Sequence, residues 1–207
     1  MGIEVILFDA DGVIQLPARG VEDMLRHVFG FLPENYEPLV HDIVEAEKPC
    51  QWGDGEFAAR LPSVFERWNL DPDAAPRLIR AWATVAVDAD VAQLIGILRN
   101  TWLCWLASNQ EPSRARHMSE RLGYREVFDR EFYSCELGVA KPDLEYFRKI
   151  TRLTGIAPES MLFLDDREGN VAAAKTAGLH AVRFNLRECE SAPAELARLL
   201  ARFGVNV

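Results

Sequence analysis

The chain predicts an α/β fold: a doubly wound parallel sheet in a three-layer core, with an all-helical segment inserted after the first strand. Three features carry this expectation. An apolar run, Val5-Ile6-Leu7-Phe8 with Ile3 ahead of it, reads as a buried strand. Residues 15 to about 85 then show only helical spacing. From Asp90 onward strands and helices alternate, the pattern of a parallel sheet covered on both faces. The expected division is a core of residues 1–14 and 86–207 and a helical insert of residues 15–85.

The first strand ends in Asp9-Ala10-Asp11-Gly12-Val13. Alternate residues of a strand share a face, so Asp9 and Asp11 can aim at one spot beyond its carboxyl end, and Gly12 permits a sharp turn there. Two close carboxylates repel, which asks for a proton or a cation between them. A plain polar turn or a calcium loop uses the same letters. In the insert, Val21, Met24, Leu25, Val28 and Phe29 fall at helical spacing, as do Leu39, Ile43 and Val44, with Glu47 a further candidate, before Pro49. Gly53-Asp54-Gly55 is a turn, with Asp54 placed to cap a helix carrying Phe57, Leu61, Val64, Phe65 and Trp68. Asp71-Pro72 opens another, with Leu78, Ile79 and Trp82. No strand is expected between residues 15 and 85.

Val91, Leu94, Ile95 and Leu98 make the next helix, and Thr101 to Ala107 makes a strand followed by Ser108-Asn109-Gln110. Ser113 is placed to cap a helix that stops at Gly123. Glu131 to Cys135 is a short strand. Lys141-Pro142-Asp143 opens a helix with proline in its first turn, and Gly155 ends it. Ser160 to Leu164 is a strand stopped by Asp165-Asp166, and Val171 to Ala177 is a helix closed by Gly178. His180 to Phe184 is the last strand, and Pro193 to Phe203 a C-terminal helix.

Composition bounds the partners. A net charge of −9 argues against nucleic acid or an anionic membrane surface, and makes an anionic substrate depend on a local positive site. Cys50, Cys104, Cys135 and Cys189 are scattered without metal-ligand spacing, so free thiols in a reducing, cytoplasmic compartment are expected. No apolar run approaches the ~20 residues a membrane span needs, and no leader segment is expected. His27, His41, His117 and His180 show no ligand spacing either. A monomer or homodimer is expected.

In open parallel sheets, ligands bind beyond the carboxyl ends of the strands. Three strands end there in functional side chains: Asp9 and Asp11, Ser108 and Asn109, and Asp165 and Asp166. Lys141 falls between the last two. Singly, each has a plain explanation as a turn, a cap or a surface charge. Together at one sheet edge, the adjacent acids suggest a hard divalent cation held by oxygen.

These four segments resemble the motifs of the haloacid dehalogenase-like hydrolases, in the branch with a helical cap after the first strand of a Rossmann-like core. Asp9-Ala10-Asp11-Gly12-Val13 is similar to the first motif, Leu106-Ala107-Ser108-Asn109 to the second, Lys141-Pro142-Asp143 to the third, and Phe163-Leu164-Asp165-Asp166 with Asn170 to the fourth. The resemblance covers residues 1–14 and about 86–190; the cap shares little beyond being helical. It implies a Mg²⁺-dependent phosphatase acting on a small phosphorylated metabolite, such as a sugar phosphate. Asp9 would be the nucleophile, and Asp11 the acid that protonates the leaving alcohol and then activates water. Ser108, Asn109 and Lys141 would bind the phosphate. Mg²⁺ would lie among Asp9, the Asp11 carbonyl and the Asp165-Asp166 pair, with Asp166 preferred as the direct ligand and Asp165 and Asn170 preferred as acting through water. Which of the two adjacent acids is direct stays open.

Other reactions use the same core. A dehalogenase would lack Asp11, and a phosphonate hydrolase would need a cap lysine, for which Lys48 is available. A phosphosugar mutase keeps all four motifs. A non-catalytic binding protein would lack a motif residue, and none is missing. The loop at Trp52-Gly53 is expected over the site, with Trp52 either touching substrate or packed in the core.

Overall fold

A strand that is apolar on both faces must be covered on both. The computed structural model, which describes residues 2–207, gives the first strand that cover. The chain opens with β1 (Val5–Phe8) and β2 (Gln15–Pro17). Four helices follow, α1 (Val21–Phe29), α2 (Tyr36–Glu47), α3 (Phe57–Arg67) and α4 (Ala75–Ala83), and then β3 (Val85–Val87). The second half runs α5 (Ala89–Leu98), β4 (Leu103–Ser108), α6 (Pro112–Glu120), α7 (Tyr124–Val127), β5 (Arg130–Tyr133) and α8 (Ser134–Leu137). It ends with α9 (Leu144–Thr154), β6 (Met161–Asp165), α10 (Glu168–Thr176), β7 (His180–Arg183) and α11 (Ala192–Ala201).

The main sheet has five parallel strands in the order β5-β4-β1-β6-β7. Alternation along β1 sorts its side chains to two cores. Ile6 and Phe8, with Leu162 and Leu164 of β6, pack against Val91 and Ile95 of α5 and Leu196 and Leu200 of α11. Val5 and Leu7, with Met161 and Phe163, pack against Phe147 and Ile150 of α9 and Ala174 of α10. A third apolar cluster, from Met24 to Leu78, is built wholly from the insert.

The insert is joined to the core by a ribbon that periodicity missed. β2 and β3 pair antiparallel, Gln15 with Val87 and Pro17 with Val85, so a strand does lie within residues 15–85. At three residues each, they are too short for alternation to register. Three expected helix starts also move. Asp54 is not a cap: its carboxylate pairs with Arg60 at 2.8 Å, and α3 begins after Glu56. Ser113 lies inside α6, whose cap is Glu111, accepting from the Ser113 and Arg114 amides. Pro112 takes the first helical position, which puts the cap on the residue before it. Lys141-Pro142 precedes α9 rather than opening it, because Asp143 is the cap and accepts from the Glu145 amide. Among the described residues all four cysteines are free, and no helix is long and apolar enough to cross a membrane.

Candidate active site

Register explains why the acids meet. Phe8 pairs with Leu106 on one side and Leu164 on the other, so the next residues, Asp9, Ala107 and Asp165, arrive side by side. The Asp9 amide donates to the Leu164 carbonyl at 2.9 Å and holds this alignment past the end of β1. The chain then turns tightly: the Ala10 carbonyl accepts from the Val13, Ile14 and Gln15 amides, and Gly12 sits at φ +81°. Few residues but glycine adopt that conformation. Space makes the same demand, since a methyl group on Gly12 would lie 2.5 Å from Asp166 Oδ2.

Lys141 anchors the cluster. Its Nζ lies 2.9 Å from Asp9 Oδ1, 2.7 Å from Asp165 Oδ2 and 2.8 Å from the Ala107 carbonyl. Its three donors are thus matched by three acceptors. Its main chain is fixed by Asn109, which accepts from the Lys141 amide at 2.9 Å and donates to the Lys141 carbonyl at 2.8 Å. Asp165 is buried and spent as a structural acceptor, taking hydrogen bonds from Lys141, the Asn170 side chain and the Arg167 amide. The neighbouring Asp166 carboxylate accepts none among the described residues and faces the cavity.

Electrostatics follow from that packing. Burial pushes the Asp9 carboxyl up to about 7, with Asp165 and Asp11 adding to the rise and Lys141 opposing it. Burial would lower Lys141, but Asp9 and Asp165 outweigh it and hold the ammonium. Burial and Asp165 also raise Asp166. Asp9, Asp165 and Asp166 each offer an oxygen within 4.8 Å of the others. Three acids around one ammonium leave a deficit of positive charge, and an all-oxygen donor set suits a hard divalent cation. The residues present therefore fit a metal, with Asp166 the least committed ligand.

The Asp11 side chain is not part of that group. Arg114 grips it with both terminal nitrogens, at 2.8 Å and 2.9 Å, while Gln15 and Gln110 each donate at 2.9 Å. Burial alone would raise Asp11, but the Arg114 charge and these hydrogen bonds hold it below the usual range. Ser108 is buried, and its hydroxyl accepts from Gln110 at 3.0 Å. Arg114, Gln15 and Gln110 were missed in the sequence, where nothing in their spacing distinguishes them from surface residues. Only the tight turn and the first turn of α6 bring them to Asp11.

A cavity of about 760 Å³ opens above these groups. Asp9, Asp11, Ser108, Asn109, Lys141 and Asp166 form its floor, while Glu47, Lys48 and Gln51 reach it from the insert. Trp52 is not in the cavity lining and is 47% exposed, so it is neither at the site nor in the core. Its neighbour Gly53 packs so closely on the start of α8 that a methyl group there would lie 2.7 Å from the Cys135 carbonyl.

Known proteins share this arrangement of chain. Bifunctional epoxide hydrolase 2 of Sus scrofa is 25% identical over 226 residues, covering 96% of this chain and 39% of that protein. The chain thus spans well under half of that relative, and 12% of drimenol cyclase drtB of Aspergillus calidoustus. Phosphatase MT3486 of Mycobacterium tuberculosis is 26% identical over 192 residues, 87% of each chain. A solved HAD family enzyme from Bacteroides thetaiotaomicron superposes with a TM-score of 0.78 at 21% identity, covering 92% of this chain and 98% of that one; this is a likeness of fold. The family model for haloacid dehalogenase-like hydrolases matches residues 3–178, a span that includes Asp9, Asp11, Ser108, Lys141, Asp165 and Asp166. By that match, the chain belongs to the haloacid dehalogenase-like hydrolases.

Proposed function

We propose that this hydrolase is a Mg²⁺-dependent phosphatase of a small phosphorylated metabolite, working through an aspartyl-phosphate on Asp9. The observation that carries the reading is the buried Lys141 bridge between Asp9 and Asp165, beside the uncommitted Asp166 carboxylate. An anionic nucleophile approaching an anionic phosphoryl group needs positive charge fixed in place. Lys141 supplies one such charge. Asp9, Asp166 and the main-chain carbonyl of Asp11 would hold the cation, which would supply the rest by neutralising nucleophile and phosphoryl oxygens together. Magnesium and inorganic phosphate are bound in a second solved structure of the Bacteroides enzyme, which supports the choice of ion.

The remaining roles follow from position. Asp9 attacks phosphorus and displaces the alcohol. Ser108 and the amides that follow it bind a phosphoryl oxygen. Asn109 contributes by holding the Lys141 main chain, since its side chain is already committed there. Asp11 must leave the Arg114 clamp, which holds it ionised, and take up a proton from solvent; it then passes that proton to the leaving oxygen and takes one from the attacking water. Asp165 and Asn170 keep Lys141 in place and would help hold the cation. Residues 15–85 act as a cap over the cavity, hinged at the β2–β3 ribbon, excluding bulk water and choosing the leaving group.

Phosphate release from a generic aryl phosphate tests this. The expected result is turnover with Mg²⁺ that stops on adding a chelator and returns with excess Mg²⁺. Absence of release from an aryl ester and from a panel of phosphorylated metabolites, all in Mg²⁺, would overturn it.

A further inference from the structure

The floor of the cavity is accounted for by these roles, but one acid on its wall is not. Glu47 is the last residue of α2, is 5% exposed, and lines the cavity from the cap side. It forms no ion pair among the described residues, and the Trp82 side chain is the polar neighbour that opposes the rise burial imposes on it. A carboxyl group can accept about four hydrogen bonds, so a single neighbour leaves most of that capacity unused. Burying an acid without an ion-pair partner is costly, and burial raises its pKa against the opposing charge of Arg114. Groups kept in that state inside a cleft are candidates for function.

Its neighbours show which end of a substrate it faces. Glu47 feels the charges of Arg114 and Asp11, and Asp11 is the residue placed to serve the leaving oxygen. Glu47 also enters the cavity from the insert, while the groups that would hold the phosphate form its floor, which puts it on the leaving-group side. The chemistry it can meet there is narrowed by charge. Arg19, Arg80 and Arg187 line the same cavity without carboxylate partners among the described residues, and they disfavour a cationic leaving group. A hydroxyl is neutral and supplies the hydrogen that a carboxyl oxygen accepts.

Building on the phosphatase reading, we propose that Glu47 is a specificity-determining residue that accepts a hydrogen bond from a hydroxyl of the leaving group. The preferred substrates are then phosphomonoesters of sugars or polyols. Glu47 selects among alcohols and takes no part in the bond changes at phosphorus.

The test compares kcat/KM for a panel of pentose and hexose phosphates with that for propyl phosphate, whose leaving group carries no further hydroxyl. The wild-type enzyme should favour the best sugar phosphate. In Glu47→Ala the ratio should fall by about tenfold or more, the scale of one lost hydrogen bond to a carboxylate. Glu47→Gln, which keeps a carbonyl acceptor and the packing, should fall between the two. A wild-type ratio at or below one overturns the proposal without any variant. So does an unchanged ratio in Glu47→Ala, including the case where both substrates decline in proportion, which is the signature of a packing role. A wild-type enzyme inert toward both esters in Mg²⁺ also overturns the proposal, and the phosphatase reading falls with it only where the aryl phosphate and the wider metabolite panel release no phosphate either.

Discussion

Lys141 is where the chemistry and the packing of the site coincide. Its ammonium is buried against Asp9, Asp165 and the Ala107 carbonyl, so it is preorganised before any substrate arrives. Lys141→Ala should raise the barrier by at least ~2 kcal/mol, roughly 30-fold in kcat, as loss of a fixed charge at developing negative charge does. Steady-state kinetics with saturating Mg²⁺ would measure it; a variant within twofold of wild type would remove the lysine from the mechanism. Asp9, Ser108 and Asp166 were legible in the sequence because each sits at or just past a strand end, and Lys141 because it leads the Pro142-Asp143 start of a helix. The division of labour between Asp165 and Asp166 was legible only as a preference, since both acids share one strand end. It emerges once Asp165 is seen filled by Lys141, Asn170 and the Arg167 amide. The clamp on Asp11 was illegible: Arg114 reaches it across 103 residues of sequence, and no local pattern records that pairing.

At the scale of elements, long apolar segments declared themselves and short ones did not. β1, β4 and β6 follow from apolar runs bounded by polar turns and β5 and β7 from shorter, weaker signals, whereas β2 and β3 are too short for periodicity and form only because they meet each other. Helix starts went astray where proline and a capping residue compete. In α6, Pro112 fixes the first position, so the cap falls on Glu111, an uncommon choice made workable by two amides and the Ser113 hydroxyl. Replacing it should be felt in stability. Glu111→Ala should cost about 1–2 kcal/mol, the range for losing a helix cap. Urea unfolding would show this as a lower midpoint at an unchanged slope. A midpoint equal to wild type would mean that the cap contributes nothing beyond what water supplies. Because α6 also presents Arg114 to Asp11, the same helix start sets the geometry of the floor.

The whole molecule sets an acidic body around a basic cleft. A chain of net charge −9 repels phosphorylated metabolites at long range, yet arginines on both core and insert line the one cavity that holds the acids and the lysine. The insert has its own apolar cluster, and its ribbon joins the core directly beside the turn that carries Asp11. Closing such a unit over the sheet edge would dry the site and bring Glu47 to the leaving group while leaving the floor unaltered. The central claim is that Asp9 takes the phosphoryl group, and labelling tests it most directly. The enzyme is mixed with radiolabelled phosphomonoester and Mg²⁺, quenched in acid within one turnover and digested, and the label is located. The account predicts label on the peptide that carries Asp9, abolished by Asp9→Asn and by chelation of the metal. Phosphate release with no label on the protein, or label that survives in Asp9→Asn, would contradict it.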